Sequence, residues 1–369
     1  MYVQNYPPVF CGIVPPHILE HLAHDPEESV REAALRSLEL DALHRRERAL
    51  AGPAAPVAAP SAPPSLPLRT VYDARHTRAL PGTSVRAEGA APVPDPAVDR
   101  AYDGLGDTFA LFLDIYGRHS VDGRGLPLDA TVHYGTGYDN AFWNGRQMVF
   151  GDGDGSVFND FTVSVDVIGH ELTHGVVQFS ADLHYRGQSG ALNESLADVF
   201  GSLVKQYALG QTADEADWLI GAGLLAPGVH GVALRSMKAP GTAYDDPRLG
   251  RDPQPATMDG YLATDSDDGG VHINSGIPNR AFHLTASRLG GHAWERAGQI
   301  WYDVLTGAGL PADADFRTFA AATLAAARAR YGAGPEPDAV AAAWSAVGVE
   351  AAVGAGVGSR SGSEETSGG

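Results

Sequence analysis

Apolar positions change their spacing along this chain, and the changes divide it. Behind the helix-start signal Asp25-Pro26-Glu27-Glu28, residues Val30, Ala34, Leu35, Leu38, Leu40 and Leu43 supply an apolar face, which predicts a small helical unit within residues 1–50. Residues 51–67 are too rich in proline and alanine to continue a helix and read as an extended linker. From Leu68 to about Phe161 the apolar runs are short, as in Thr131-Val132-His133-Tyr134 and Met148-Val149-Phe150, and turn residues break them. That part predicts strands and loops, with one helix over 97–116, where Ala101, Leu105, Phe109, Phe112 and Leu113 recur at helical spacing. Beyond Val163 helical spacing dominates, over 166–179, 189–209, 278–289, 294–306 and 315–331. The Gly/Ser-rich end, 351–369, is expected to be disordered. The pattern predicts an α+β fold of two lobes, a β-rich one over 68–162 and a helical one over 163–350, preceded by a detachable unit.

Composition narrows the partners. A chain of 369 residues with 44% hydrophobic content can bury real cores. A formal net charge of −19 repels phosphate backbones and anionic lipid, which excludes nucleic acid and membrane surfaces as partners. Nor does any apolar run approach the roughly 20 residues of a membrane-spanning helix. With Cys11 as the single cysteine there is no intrachain disulfide, so stability must come from packing or bound metal. Residues 1–16 lack the basic start and apolar stretch of a secretory signal.

The candidate chemistry begins at His170-Glu171-Leu172-Thr173-His174, inside a segment expected to be helical. Spacing of i and i+4 stacks two imidazoles on one face, about 5 to 6 Å apart at Cβ, which suits two ligands of one zinc ion. Glu171 lies one residue round the helix, close enough to take a proton from a water polarised by the metal without itself binding. A catalytic zinc needs a third protein ligand and an open fourth position. The next helix offers Glu194 as that ligand and, one turn on, Asp198 to accept the N–H of a ligating imidazole and fix its tautomer.

These residues sit among others that together resemble the thermolysin family of metallopeptidases. The resemblance runs from Leu68 to Val349 through Asn140-Ala141-Phe142-Trp143, Gly151-Asp152-Gly153-Asp154-Gly155, the histidine motif, Asn193-Glu194 with Asp198, Ala233-Leu234-Arg235-Ser236-Met237 and Gly269 to Gly276. It implies a two-lobed fold with the histidine helix on the floor of the cleft, one catalytic Zn²⁺, and peptide and protein substrates cut internally by a monomer that acts outside the cell. Tyr185 and His272, the latter oriented by Asp267, take the role of oxyanion donors. Asn193 joins Asp198 behind the metal ligands, and Asn140, Ala141 and Trp143 form a strand edge that pairs with an extended peptide. Arg235 is expected to bind a substrate carbonyl or to hold the cleft wall through Asp198 or Glu194. Phe158, Phe161, Val167 and Leu234 carry over as an apolar pocket, which implies cleavage on the amino side of bulky apolar residues.

Two features qualify the resemblance. Many members hold a double Ca²⁺ site; here Asp166 and Asp217 remain, but Lys205 stands where an acid is expected and Leu219, Ala222 and Gly223 replace others. An ammonium there can neutralise the carboxylates itself, so the double site is expected to be absent, with a single weaker calcium site left open. The Asp152-Gly153-Asp154 segment lacks the final glutamate of a calcium loop and reads as a turn. Residues 1–50, through Val14-Pro15-Pro16-His17-Ile18-Leu19 and the helix after them, resemble the short propeptide of protealysin-like members, which implies a precursor blocked in cis. Cys11 is then either an ordinary small residue or a thiol that caps the zinc in the precursor. The cut that matures the chain is expected between Ala51 and Thr70. Two other classes share the metal spacing: a catalytically silent peptide-binding protein, against which the intact residue set argues, and a zinc aminopeptidase, for which no acidic exopeptidase motif is found.

Overall fold

A short strand opens the fold. In the computed structural model, which describes residues 11–51 and 65–351, β1 (Cys11–Gly12) leads into α1 (Pro16–Leu22) and α2 (Glu28–Ala51). Pro16 stands in the first turn of α1, where its fixed φ suits the helix and its missing N–H costs nothing. The buried face of α2 differs from the expected one. Val30, Ala34 and Leu40 are buried, but Leu35 is 52% exposed and Leu43 40%. The stripe that faces the protein runs through Val30, Ala34, Ser37, Asp41 and His44, at alternating steps of four and three. Its second half is polar because it bonds polar groups of the strand edge beneath it, so hydrophobic spacing marked only part of the buried face.

The first lobe continues with β2 (Arg69–Asp73), β3 (Thr83–Ala87), α3 (Pro96–Tyr116), β4 (Leu128–Val132), β5 (Ala141–Trp143) and β6 (Met148–Phe150). The sheet order is β1-β5-β6-β4-β2-β3, with β2, β4 and β6 parallel and the other pairs antiparallel. Parallel strands need cover on their faces. α3 supplies it, capped at its start by Asp95, whose side chain accepts the Ala97 N–H. β4 ends at Val132 because His133 turns into the left-handed region at φ +55°. β1 therefore adds an N-terminal edge strand to a sheet that would otherwise end at β5.

The second lobe holds α4 (Val165–Gln178), α5 (Gly187–Leu209), a two-strand ribbon of β7 (Leu219–Ile220) and β8 (Arg235–Ser236), α6 (Asp267–Asn274), α7 (Gly276–Leu289), α8 (Ala297–Thr306), α9 (Phe316–Tyr331) and α10 (Pro335–Ala346). The large aromatics of its core include Trp218, Trp301, Phe319 and Trp344, with the indoles of Trp301 and Trp344 stacked at 6.2 Å. α6 and α10 were not anticipated. α6 is short and starts in a left-handed run, and α10 is Ala-rich with little contrast between its faces. α4 and α5 pack closely at Gly201, where a Cβ would lie 2.5 Å from the Asp166 carbonyl oxygen and 2.9 Å from His170 N. That approach brings the histidine helix against the glutamate helix. Residues 52–64 of the expected linker and 352–369 of the expected tail lie outside the described residues. Among the described residues no helix is long and apolar enough to cross a membrane.

Candidate metal centre

α4 is buried from Asp166 to Val177, so both of its imidazoles lie inside the protein. Their i and i+4 spacing brings the ring centroids to 4.7 Å and the two Nε2 atoms to 3.0 Å. The other nitrogen of each ring is already engaged: His170 Nδ1 lies 2.8 Å from Asp198 Oδ1, and His174 Nδ1 2.9 Å from Asn193 Oδ1. Both partners are acceptors, so each Nδ1 carries the proton and each Nε2 presents a lone pair. Two lone pairs at that distance repel unless a cation lies between them. Burial pushes His174 down to about 4, which keeps it neutral and able to ligate.

Glu194 on α5 completes a triangle, with Oε1 3.5 Å from His174 Nε2 and Oε2 3.7 Å from His170 Nε2. Ligands about 2.0–2.3 Å from a tetrahedral ion are themselves about 3.3–3.8 Å apart, which the two Glu194 sides match, the imidazole pair lying closer at 3.0 Å. Glu194 Oε2 is buried with no hydrogen-bond partner among the described residues. Cys11 Sγ stands on the same point, within 4.8 Å of the three other donor atoms. Two imidazoles, a carboxylate and a sulfur make a borderline-soft donor set of the kind zinc takes.

Behind the triangle Asp198 accepts Arg235 Nε at 2.9 Å and Nη2 at 2.8 Å, and Asn279 Nδ2 at 2.8 Å. Burial opposes its charge, but Arg235 and the His170 hydrogen bond hold Asp198 well below the usual carboxylate range. Of the two partners expected for Arg235, it is Asp198 that the guanidinium grips.

Comparison with known proteins agrees with this geometry. The thermolysin metallopeptidase catalytic domain matches residues 69–178 and its alpha-helical domain residues 181–349. The chain belongs to the thermolysin family of metallopeptidases. An extracellular metalloprotease of Pectobacterium carotovorum subsp. carotovorum is 52% identical over 340 residues, 92% of this chain and 96% of that protein. Protease PrtS of Photorhabdus sp. (strain Az29) is 48% identical over 336 residues, 89% of each chain. The solved precursor of protealysin, a metalloproteinase from Serratia proteamaculans, shares the fold at a TM-score of 0.85 and 52% identity, over 92% of this chain and 99% of that one.

In this metallopeptidase Glu171 is also buried. Its Oε2 accepts the Trp143 N–H at 2.9 Å, while Oε1 has no partner among the described residues. Burial, with the Glu194 charge beside it, pushes Glu171 well above the usual carboxylate range. Trp143 thus touches Glu171 through its backbone, and its indole N–H reaches Gln178 Oε1 at 3.3 Å.

Tyr185 and His272 meet on the other side of the triangle, the phenol oxygen 3.3 Å from His272 Nε2 and hydrogen-bonded to Glu194 Oε1. Asp267 accepts His272 Nδ1 at 2.6 Å and its backbone N–H at 2.9 Å. The turn that allows this puts Asp267 and Asp268 at φ +53° and +49°, a conformation costing about 1–3 kcal/mol per residue and held here by the bonds around it. Burial works against a charge on His272, yet Asp267 and Glu194 outweigh it and lift the imidazole to about 9.

The N-terminal strand occupies the cleft. Cys11 pairs with Trp143 and Gly12 with Phe142 across an antiparallel register. Ile13 N donates to Ala141 O at 3.0 Å, Val14 N to Asn140 Oδ1 at 2.9 Å, and Arg235 Nη1 to Ile13 O at 3.0 Å. Asn140, Ala141 and Arg235, expected to meet a substrate, here bond Ile13 and Val14 of the N-terminal segment. Phe158, Phe161, Val167 and Leu234 are at most 1% exposed and, like Ile13, belong to the main apolar core. Cys11 Sγ lies 2.8 Å from Glu194 Oε1, 2.7 Å from the Tyr185 oxygen and 3.5 Å from His272 Nε2. Burial, with Glu194 and Glu171 beside it, pushes the thiol up, so the free sulfur keeps its proton.

Sequence reading missed three partners: Asp41, Tyr138 and Asn279. Asp41 accepts Tyr138 Oη at 2.6 Å and Asn140 Nδ2 at 2.9 Å. The signal was present, since Ser37, Asp41 and His44 continue the spacing of Val30 and Ala34 with polar residues. Away from the cleft, Lys205 Nζ lies 3.1 Å from Asp166, 2.9 and 2.8 Å from the two oxygens of Asp217, and 3.4 Å from Leu219 O.

Proposed function

We propose that the chain is the precursor of a zinc endopeptidase in which His170, His174 and Glu194 hold one Zn²⁺ and Glu171 is the general base. The observation that carries this reading is the pair of imidazole Nε2 atoms at 3.0 Å, both Nδ1 atoms already donating, with an orphaned Glu194 oxygen beside them. A zinc ion held there supplies a Lewis acid that polarises a carbonyl and lowers the pKa of a water to about 7. Glu171 takes the proton at Oε1, its other oxygen fixed by Trp143 N. Tyr185 and His272 donate to the oxygen on which charge develops, and Asp267 keeps His272 aimed and protonated. Glu171 then delivers its proton to the departing amine.

Substrates lie along β5 as an added antiparallel strand, bonded to Ala141, Asn140 and Arg235. The apolar wall of Phe158, Phe161, Val167 and Leu234 selects bulky apolar residues on the carboxyl side of the cut. Support comes from Ile13, an apolar residue fully buried in the N-terminal segment, whose N–H donates to Ala141 O. Residues 1–50 act as a propeptide in cis and residues 51–67 as the linker in which the maturing cut falls. Cys11 is the latency thiol, giving up its proton as the metal is taken up. Lys205 replaces the double calcium site, and the mature enzyme acts as a monomer outside the cell.

The test is metal content and casein hydrolysis of the wild type and Glu171→Ala, with a peptide library for specificity. About one zinc in each chain, activity in the wild type alone, and cuts before Leu, Ile or Phe are expected. A preference for charged residues after the cut would refute the pocket assignment, and activity in the metal-free chain would refute the mechanism.

A further inference from the structure

We propose that Gly12–Ile13 is a peptide bond held in the cleavage register, and that Cys11 is the guard that keeps it uncut. The inference rests on the proposed function and adds a substrate to it: the chain's own start. Gly12 O lies 3.7 Å from Cys11 Sγ, which itself sits among the metal-ligand atoms, so this is the carbonyl turned toward the metal centre. On the other side of the same bond Ile13 N is tied to Ala141 O, and the next two groups are held in turn, Ile13 O by Arg235 and Val14 N by Asn140 Oδ1. Each is a contact an extended substrate makes on the carboxyl side of its scissile bond.

What distinguishes this segment from a substrate is the sulfur. Within about 3.5 Å of Glu194, Tyr185 and His272, Cys11 Sγ fills the space that the attacking water and the developing oxyanion would need. Gly12 also matters. A Cβ there would lie 2.4 Å from Asn140 Nδ2, which Asp41 fixes from the far side, so the segment fits only with glycine at that position while α2 is docked. With Cys11 shortened, water has room to enter. Hydrolysis would consume one water, its oxygen forming the new carboxylate on Gly12, while the C–N bond breaks and the Ile13 nitrogen leaves as an amine with the proton taken by Glu171.

The experiment uses full-length chains: wild type, Cys11→Ala, Cys11→Ser, Glu171→Ala and Cys11→Ala/Glu171→Ala. Each is loaded with zinc and followed by intact mass. Cys11→Ala and Cys11→Ser are expected to lose the Met1–Gly12 peptide and begin at Ile13, while the wild type stays whole at that bond and the double variant is not cut at all. A readout independent of turnover is hydrogen exchange of the two Glu171→Ala chains. The Ile13 and Val14 amides should stay protected whether or not Cys11 is present, because the strand pairing and not the sulfur holds the register. Loss of that protection in the double variant would overturn the proposal, and so would Cys11 variants that hydrolyse casein yet keep Gly12–Ile13 intact. If no zinc-loaded chain cuts either casein or itself, it is the endopeptidase reading that has failed.

Discussion

Asn140 is held from both sides by the segment that precedes the catalytic lobes: Asp41 accepts its Nδ2 at 2.9 Å, while Val14 donates to its Oδ1 at 2.9 Å. A residue expected to orient substrates is thereby fixed to an N-terminal helix and an N-terminal strand at once. Asp41 is buried for this purpose, and burial lifts its carboxyl from 3.8 to about 6, despite the hydrogen bonds from Tyr138 and Asn140 that favour the charge.

That shift makes the stability of the docked precursor depend on pH. A carboxyl raised in the folded state binds its proton more tightly there. Its contribution is full below 3.8 and is lost as pH rises through about 6. Two units correspond to about 3 kcal/mol. His17, pushed down to about 4 mainly by burial, acts in the opposite sense, since its contribution is lost as pH falls below 6.5. A direct comparison with Asp41→Asn isolates the first effect. In a Glu171→Ala background that prevents processing, the Asn variant should gain on its parent by about 3 kcal/mol between pH 4 and pH 7 in denaturant unfolding. A difference that stays flat with pH would show that Asp41 is not the titrating group.

The grouping of the candidate ligands was legible because helical spacing is a strict geometric rule. His170 with His174 and Glu194 with Asp198 each had to share a helix face, and short-range sequence fixes that. The two-lobed division was legible for the same reason, since a period of two and a period of 3.6 differ over a few residues. What the chain did not disclose was which distant groups meet. Asp41 with Asn140 spans 99 residues and Arg235 with Ile13 spans 222, and no local pattern encodes such pairs. The polar face of α2 and the left-handed turn before His272 were misread or missed for a related reason. In each, tertiary hydrogen bonds outweigh local preference.

Removing the charge behind His170 should loosen the metal. Asp198→Asn keeps the shape of the side chain but leaves the buried Arg235 uncompensated and no longer fixes which His170 nitrogen is protonated. Zinc affinity should fall about 10–100-fold in chelator competition, with a loss of stability of about 3–5 kcal/mol. An Asn variant that competes for zinc as well as the wild type would show that the proton on His170 is set elsewhere.

Lys205 makes a further prediction. Its ammonium neutralises Asp166, which is fully buried, and Asp217, 44% exposed at its side chain. The wild type should therefore unfold at the same temperature with calcium or with a calcium chelator. Lys205→Glu gathers three carboxylates with the Leu219 carbonyl close by, the oxygen-rich setting that calcium prefers. Without calcium that variant should lose about 3–5 kcal/mol, and millimolar calcium should restore much of it. A wild type whose midpoint itself rises on adding calcium would contradict the replacement.

The close approach of α4 to α5 is what sets the spacing of the metal triangle, and Gly201 is where it can be tested. Its φ is that of an ordinary helix, so alanine is acceptable to the local backbone and the whole effect is steric. The new methyl would meet the Asp166 carbonyl oxygen at 2.5 Å and His170 N at 2.9 Å. Both are backbone atoms with no rotamer to escape into, so the helices must separate. Gly201→Ala should cost about 1–3 kcal/mol by overpacking. Because His170 rides on one helix and Glu194 on the other, zinc affinity should fall with it. Gly309→Ala, whose Cβ would meet nothing within 4 Å, is the control and should change neither quantity. If Gly201→Ala loses stability but binds zinc as tightly as the control, the triangle tolerates a wider helix pair, and the geometry of the site does not depend on that contact.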